Sequence, residues 1–282
     1  MPRSFLGGGS MRRRTFVLGL STSFLPLSWV NAQTTQADTE VLSALPPLPD
    51  DLQSMAGQPP MLYDQEPVGT AVPSTVEIDE AYDLLLESPY NGAEPIDVAL
   101  YFVAAGAGAF GDNYRKYSRE WPVRANPLIV HFFSSTQTTP AGDTTAWCAA
   151  FMNWCLLRSK ATKRDEIGTP PKSYHKQASA YQGDHLKRYS TNSAATGSFR
   201  CWKEISAPQR GDLVVFKDKG TDNLSASCRG TGHVAFFQSF PRDGYVRVIG
   251  GNQSDKSGGA ITVANMAIGP GSRFMKYVGL PT

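Results

Sequence analysis

The segment from Asp143 to Leu157, DTTAWCAAFMNWCLL, constrains the fold of this chain more than any other stretch. Three polar residues that can cap a helix precede an apolar run longer than most strands. Apolar residues fall on every face of that run, so the sequence predicts a buried helix. Cys148 falls in its first turn, where unpaired N–H groups and the positive end of the helix dipole favour a thiolate. Cys148 is therefore a candidate nucleophile, and the alternative is a small buried hydrophobic residue.

The N-terminus, residues 1–32, predicts a cleaved export signal. Three arginines at positions 12–14 precede an apolar stretch, and Val30 and Ala32 are small residues suited to cleavage before Gln33. The basic start resembles the twin-arginine export pattern, with the general secretory route and an uncleaved membrane anchor as alternatives. We therefore expect a bacterial protein exported to the periplasm or the cell exterior, without stable membrane insertion after cleavage.

Charge and composition narrow the function of the remaining chain. Four of the 27 basic side chains lie in residues 1–32, and subtracting them leaves 23 basic side chains against 25 acidic ones. This balance argues against the basic surface of a nucleic-acid-binding protein. Residues 33–75 are rich in proline, glutamine and threonine and predict a flexible linker, and residues 76–282 predict a single folded domain.

The elements of that domain predict an α+β fold in which helices come first and an antiparallel sheet follows. The helical patterns are Glu77–Leu86, Ile96–Phe110 and Pro127–Phe133, ahead of the cysteine helix. The strand patterns are Leu213–Phe216, His233–Phe240, Tyr245–Ile249, Ile261–Met266 and Phe274–Val278.

The four cysteines divide into two kinds. Cys148 and Cys155 lie two helical turns apart, which is too far for a disulfide. Cys201 and Cys228 flank a loop-rich insert and form the better pair, stabilising the fold by roughly 3 kcal/mol through loop closure. No Cys-x-x-Cys motif or Cys/His cluster occurs, so the sequence predicts no zinc site.

The pairing of two strands predicts the rest of a catalytic site. If residues 241–244 form a four-residue hairpin loop, paired positions sum to 485 and Asn252 lies opposite His233. An amide oxygen beside an imidazole fixes the tautomer and leaves the other ring nitrogen free to act as a base. The alternatives are a surface histidine at a hairpin end and an ordinary turn asparagine. His131, on an apolar stretch, is expected to be a satisfied core residue.

Four motifs in this order resemble a known family. Asp143 begins D-x-x-x-W-C-A-A-F-x-N-W, Pro208 begins P-x-x-G-D-L-V-x-F, Gly232 begins G-H-V-A-F, and Gly250 begins G-G-N-Q. Upstream, Asn126 begins the N-P-L-I that one variant of the family carries. The chain from about residue 78 onwards thus resembles the CHAP/NlpC-like cysteine peptidases and amidases of bacterial cell walls, a papain-like superfamily.

This resemblance implies a papain-like α+β fold in which a helix bearing the cysteine packs on an antiparallel sheet. It implies Cys148 as nucleophile, His233 as general base and Asn252 as the third residue, with no metal or organic cofactor. Many members carry an acidic third residue, and this chain departs from them there. The residues adjoining these within the motifs are the expected substrate contacts, namely Trp147, Gly232 and Gln253.

The resemblance also implies that the protein hydrolyses an amide bond in peptidoglycan, either within the stem peptide as an endopeptidase or as an N-acetylmuramoyl-alanine amidase. One alternative is a papain-like protease or transamidase that acts on protein. Another is a catalytically inactive module that binds the wall or a partner. A third keeps the chemistry in a toxin delivered to rival cells.

Overall fold

The computed structural model describes residues 38–56, 69–174, 188–218, 228–255 and 258–281. Every described residue belongs to one compact unit, Ala37–Thr282. The predicted export signal therefore lies outside the described residues.

The helices of the described ranges form where the sequence supplies caps and apolar spacing. Ser74 and Glu77 make a reciprocal capping box at the start of α1, and Gly108 ends α2 in a left-handed conformation that suits glycine. The α-helices are Thr75–Glu87 (α1), Pro95–Ala107 (α2), Asp112–Arg115 (α3), Pro127–Phe132 (α4) and Cys148–Lys160 (α5). Within the described ranges, none of the helices has the length and apolar character needed to cross a membrane.

The strands of the described ranges form one antiparallel sheet in the order β1-β6-β5-β4-β3-β7-β2. The strands are Thr39–Val41 (β1), Glu204–Ile205 (β2), Leu213–Lys217 (β3), Gly232–Arg242 (β4), Tyr245–Asp255 (β5), Gly258–Ala267 (β6) and Phe274–Val278 (β7). The predicted α+β class is confirmed, and β7 has the bounds that the sequence predicts. The other predicted strands are each longer than their patterns.

The cysteine helix α5 lies in the main core, between the other helices and the sheet. It packs against α2 and against strands β4 and β5, and its residues from Cys148 to Ser159 are all buried. Edge-to-face contacts join Phe151 of α5 to Phe102 and Phe132 of the neighbouring helices. The apolar pattern on every face of this segment is therefore explained by burial on all sides.

The prediction of a flexible linker is wrong for residues 38–56. Strand β1 pairs with β6 along Thr39–Val41, and a 3-10 helix follows at Asp50–Met55. Leu48 and Leu52 are buried in the main core. The proline-rich composition misled the prediction because short apolar segments between prolines can still pack against a larger core.

Candidate functional site

The loop that precedes α5 is anchored by a buried carboxylate. Oδ2 of Asp143 accepts hydrogen bonds from the backbone N–H of Trp121 at 2.9 Å and of Asn126 at 2.8 Å. The sequence position of Asp143 suggested a helix cap, but Asp143 does not cap α5. The N-cap is Trp147, with no capping side chain, and Cys148 is the first helical residue. The anchored loop fixes where α5 starts and so where the thiol lies.

Trp147 is not the substrate contact that the sequence predicts, because its side chain is 0% exposed. Its indole N–H donates to Oε1 of Glu120 at 2.8 Å, and the other oxygen of that carboxylate accepts from the N–H of Gly259 on β6 at 2.8 Å. The ring packs so closely against Gly251 of β5 that a Cβ there would clash with it. Trp147 thus locks the start of α5 to the sheet.

The β4–β5 hairpin has the predicted register at the start of β4, although its loop is shorter than predicted. Arg242 pairs with Tyr245, so the loop has two residues instead of the predicted four. Irregular pairing around Ser239 then restores the predicted sum of 485, since Phe236 pairs with Ile249. The end of β5 that carries Asn252 therefore lies beside the start of β4, as the hairpin argument requires.

The amide beside the imidazole belongs to Gln253 instead of Asn252. A bulge between Gly250 and Gln253 puts Asn252 in a left-handed conformation with φ of 55°. Nε2 of Gln253 lies 3.3 Å from Nε2 of His233, and its Oε1 accepts from the hydroxyl of Thr262 at 2.9 Å. These contacts hold the ring in place. Because Gln253 is only 3% exposed, it offers little surface to a substrate.

Gln253 can fix either tautomer of His233. If the amide oxygen and nitrogen of Gln253 exchange places, its contacts with His233 and Thr262 both persist, because the hydroxyl of Thr262 can donate or accept. With Oε1 towards the ring, Nε2–H of His233 donates to the amide and Nδ1 is left free as a base. Gly250 leaves room for this amide, since a Cβ there would lie 2.9 Å from Nε2 of Gln253.

Thr196, which the sequence did not single out, contacts the thiol. Its Oγ1 lies 3.3 Å from Sγ of Cys148. Thr196 begins a 3-10 helix that ends at Cys201, and a disulfide joins Cys201 to Cys228 as the sequence favoured. The long insert after α5 therefore supplies a side chain to the site, and the disulfide ties that insert to the segment just before β4.

Burial shifts the pKa values of the two reactive groups in opposite directions, and each shift favours the uncharged form. Burial raises the pKa of Cys148 despite the hydrogen bonds from Thr196 and the backbone N–H of Val234. Burial and the positive charge of Arg273 lower the pKa of His233 to about 3. Burial thus favours the thiol over the thiolate that the helix dipole favours, because desolvation outweighs the dipole. A neutral imidazole remains able to accept the thiol proton.

These side chains meet at one cavity. It is lined by Cys148, Gly232, His233, Asn252, Gln253 and Arg273, among others. Sγ of Cys148 lies 3.9 Å from the carbonyl oxygen of Gly232, the residue before His233. The predicted catalytic residues are therefore brought together, along with Gly232 and Gln253. His131 lies elsewhere, buried with Nε2 2.9 Å from the carbonyl of Ile167, as the sequence predicts.

Comparison with known proteins finds a family match that includes Cys148, His233 and Asn252. Residues 140–252 match the model of the CHAP domain family. The match begins in the loop before α5 and ends at Asn252, and Gln253 lies one residue beyond it. No curated protein and no solved structure matches the chain.

The CHAP match agrees with the family resemblance drawn from the four motifs. Domains of this family are in general hydrolases of the amidase or peptidase kind that act on peptidoglycan. The match thus indicates the general class of reaction and of substrate.

Proposed function

We propose that this protein is a peptidoglycan hydrolase that cleaves an amide bond, as an endopeptidase or an N-acetylmuramoyl-alanine amidase, with Cys148 as nucleophile and His233 as general base. The observation that carries the proposal is the shared cavity of these two side chains, with the imidazole held by the buried Gln253. We propose that the protein acts on the wall after export to the periplasm or cell exterior.

Acylation begins when neutral His233 takes the proton of the Cys148 thiol as the sulfur attacks the substrate carbonyl carbon. The backbone N–H of Cys148, in the unpaired first turn of α5, donates to the oxyanion. The hydroxyl of Thr196, 3.3 Å from Sγ, is placed to act as a neighbouring donor. The imidazolium then protonates the leaving amine, and the acyl group stays on sulfur as a thioester.

Deacylation returns the site to its resting state. His233 takes a proton from a water molecule, which attacks the thioester carbonyl. The imidazolium returns its proton to the departing sulfur, and the carboxylic acid product leaves. Gln253 and Thr262 keep the imidazole oriented through both half-reactions.

Digestion of purified peptidoglycan tests this function. The mature protein is expected to release fragments with new amine and carboxyl ends, and mass spectrometry of these fragments identifies the bond. Cys148→Ala should release none. Intact wall after treatment with folded, reduced wild-type protein would contradict the proposal, and a parallel casein digest would detect a protease acting on protein.

The burial of Cys148, which is 3% exposed, favours a second candidate, an inactive binding module. Thiol labelling separates the two, with Cys155 as the internal reference at 0% exposed. An enzyme requires Cys148 to be labelled faster than Cys155, because substrate must reach it. Equal slow labelling, together with binding of wall fragments without cleavage, supports the module.

Replacement of Gln253 is expected to slow the reaction more than replacement of Asn252. Gln253→Leu frees the imidazole to rotate, and a misplaced base costs roughly 100-fold in kcat with KM little changed. Asn252→Ala leaves the contact between Gln253 and the ring in place, so the loss of rate should be under about 10-fold by the same reasoning. Steady-state kinetics on soluble wall peptides measures both.

Gln253→Glu is the control, because a carboxylate still accepts a hydrogen bond from the ring N–H. This variant should keep much of the rate that Gln253→Leu loses. If Asn252→Ala were the slower variant and Gln253→Leu nearly normal, Asn252 would be the orienting residue and the role assigned to Gln253 would be wrong.

A further inference from the structure

Arg273 is a charged side chain at the cavity that the proposed reaction leaves unused. It lies at the entry to β7 and lines the cavity with Cys148 and His233. Its carbonyl accepts a hydrogen bond of 2.8 Å from the N–H of Lys217, which fixes its backbone to the end of β3. Lys217 pairs with Gly232 on the next strand, so Arg273 is held close to the start of β4.

The guanidinium of Arg273 has no partner among the residues that the structure describes. In the part of the chain that the structure describes, no carboxylate forms an ion pair with it and no group accepts a hydrogen bond from it. Arg124, by contrast, binds both Asp51 and Glu77. A guanidinium has five N–H donors, and a half-buried one at a polar cavity is suited to an acceptor from outside the chain.

The electrostatics of the cavity favour an anion as that acceptor. The positive charge of Arg273 acts on His233 more strongly than the opposing negative charge of Asp218. Among the described residues that line the cavity there is no carboxylate and no lysine, and Arg273 is the one that carries a permanent charge. Arginine prefers planar anions, because its fork matches the two oxygens of a carboxylate.

We propose that Arg273 binds a carboxylate of the substrate next to the scissile amide, so that the cavity selects acidic peptides. The inference rests on the amide-hydrolase function proposed above. Peptides of bacterial walls carry free carboxylates beside several of their amide bonds, so this chemistry is present in the proposed substrate. Arg273 would then set specificity, while Cys148 and His233 perform the reaction.

A panel of synthetic wall peptides, in which each carboxylate is amidated in turn, tests the proposal. For wild-type protein, amidation of one particular carboxylate should lower kcat/KM about 10- to 100-fold, the usual loss of a charge-assisted hydrogen bond. Arg273→Ala should show the same loss on the free peptide and no further loss on the amidated one. Arg273→Lys should recover part of the rate.

Arg210→Ala is the matched control, because Arg210 lies at the opposite end of β3 in an exposed ion pair with Asp97. It should keep the wild-type preference for the free carboxylate. Binding of the same peptides to Cys148→Ala and to the double variant with Arg273→Ala, measured by calorimetry, gives a readout that does not need turnover.

The outcomes distinguish the proposed role of Arg273 from the proposed hydrolase function. If the wild type cleaves peptides but Arg273→Ala keeps the full preference for the free carboxylate, the role of Arg273 is refuted and the hydrolase function stands. If Arg273→Ala slows free and amidated peptides equally, the arginine is structural and the proposal also fails. If the wild type neither cleaves nor binds any peptide or wall, the proposed function itself fails.

Discussion

Cys148→Ala is expected to lower kcat/KM for wall peptides by about 10⁴-fold or more, because no other group can form the thioester. The thiol lies at the first position of α5, His233 lines the same cavity, and the hydroxyl of Thr196 lies 3.3 Å from Sγ. Alanine fills nearly the same volume, so the fold should persist. The measurement is a comparison of initial rates on a soluble peptide, with circular dichroism to verify folding.

Cys155→Ala is the matched control, two turns along the same helix and also a free, buried cysteine. It removes a core sulfur and should cost some stability, but its kcat/KM should stay within a few-fold of wild type, because Cys155 is not among the residues that line the cavity. Equal losses in both variants would show that Cys148 acts through helix packing and would refute its role as nucleophile.

Arg158→Met is expected to destabilise the protein by about 3–5 kcal/mol, because several carbonyl acceptors lose a charged donor at roughly 1–3 kcal/mol each. The side chain is 0% exposed. It donates to the carbonyls of Leu86 at 3.0 Å, Ser88 at 2.9 Å and Arg164 at 2.8 Å. Its guanidinium also lies 4.6 Å from the ring centre of Tyr90. Without it, the buried carbonyl of Ser88 and the partly buried carbonyls of Leu86 and Arg164 lose their charged donor.

Chemical denaturation monitored by tryptophan fluorescence measures the free energy of unfolding of this variant. Arg242→Ala is the comparison, since Arg242 is 51% exposed and pairs with Glu40 at 3.3 Å on the surface. A surface pair of this kind contributes at most about 1 kcal/mol. Similar small losses in both variants would show that the network around Arg158 is not a major contribution to stability.

Periodicity in the sequence was sufficient to predict most of the fold. The apolar run from Cys148 is continuous, and its burial follows from its composition. The strand Phe274–Val278 has the bounds that its pattern predicts, although only Val278 in it is fully buried. Residues 38–56 were assigned to a linker because composition does not reveal that Leu48 and Leu52 reach the core. That contact is set by the tertiary structure, and no local pattern encodes it.

The site was predicted in outline and corrected in detail. The pairing sum placed the end of β5 beside His233, but a bulge moved the contact from Asn252 to Gln253. A bulge depends on backbone packing and is not visible in an alternating pattern. The helix dipole at Cys148, visible in the sequence, favours a lower pKa of the thiol, whereas its burial, which the sequence does not reveal, raises that pKa.

Residues that come from distant parts of the chain were missed altogether. Thr196 lies in an irregular insert, and only the nearby Cys201 hinted that this insert is fixed in place. Glu120 holds Trp147 from a loop with no recognisable motif. Arg273 stands in a turn before a short strand, where an arginine is ordinarily a solvated residue. Only the folded arrangement relates these three to the cavity.

Trapping the acyl-enzyme is the most direct test of the central claim that Cys148 attacks an amide carbonyl. Protein is mixed with a cleavable wall peptide, quenched in acid within one turnover, and mapped by mass spectrometry. The account predicts an added mass equal to the acyl part of the substrate on the peptide that contains Cys148, at the Cys148 sulfur and not at Cys155. Turnover with no adduct, or turnover that persists in Cys148→Ala, would contradict it.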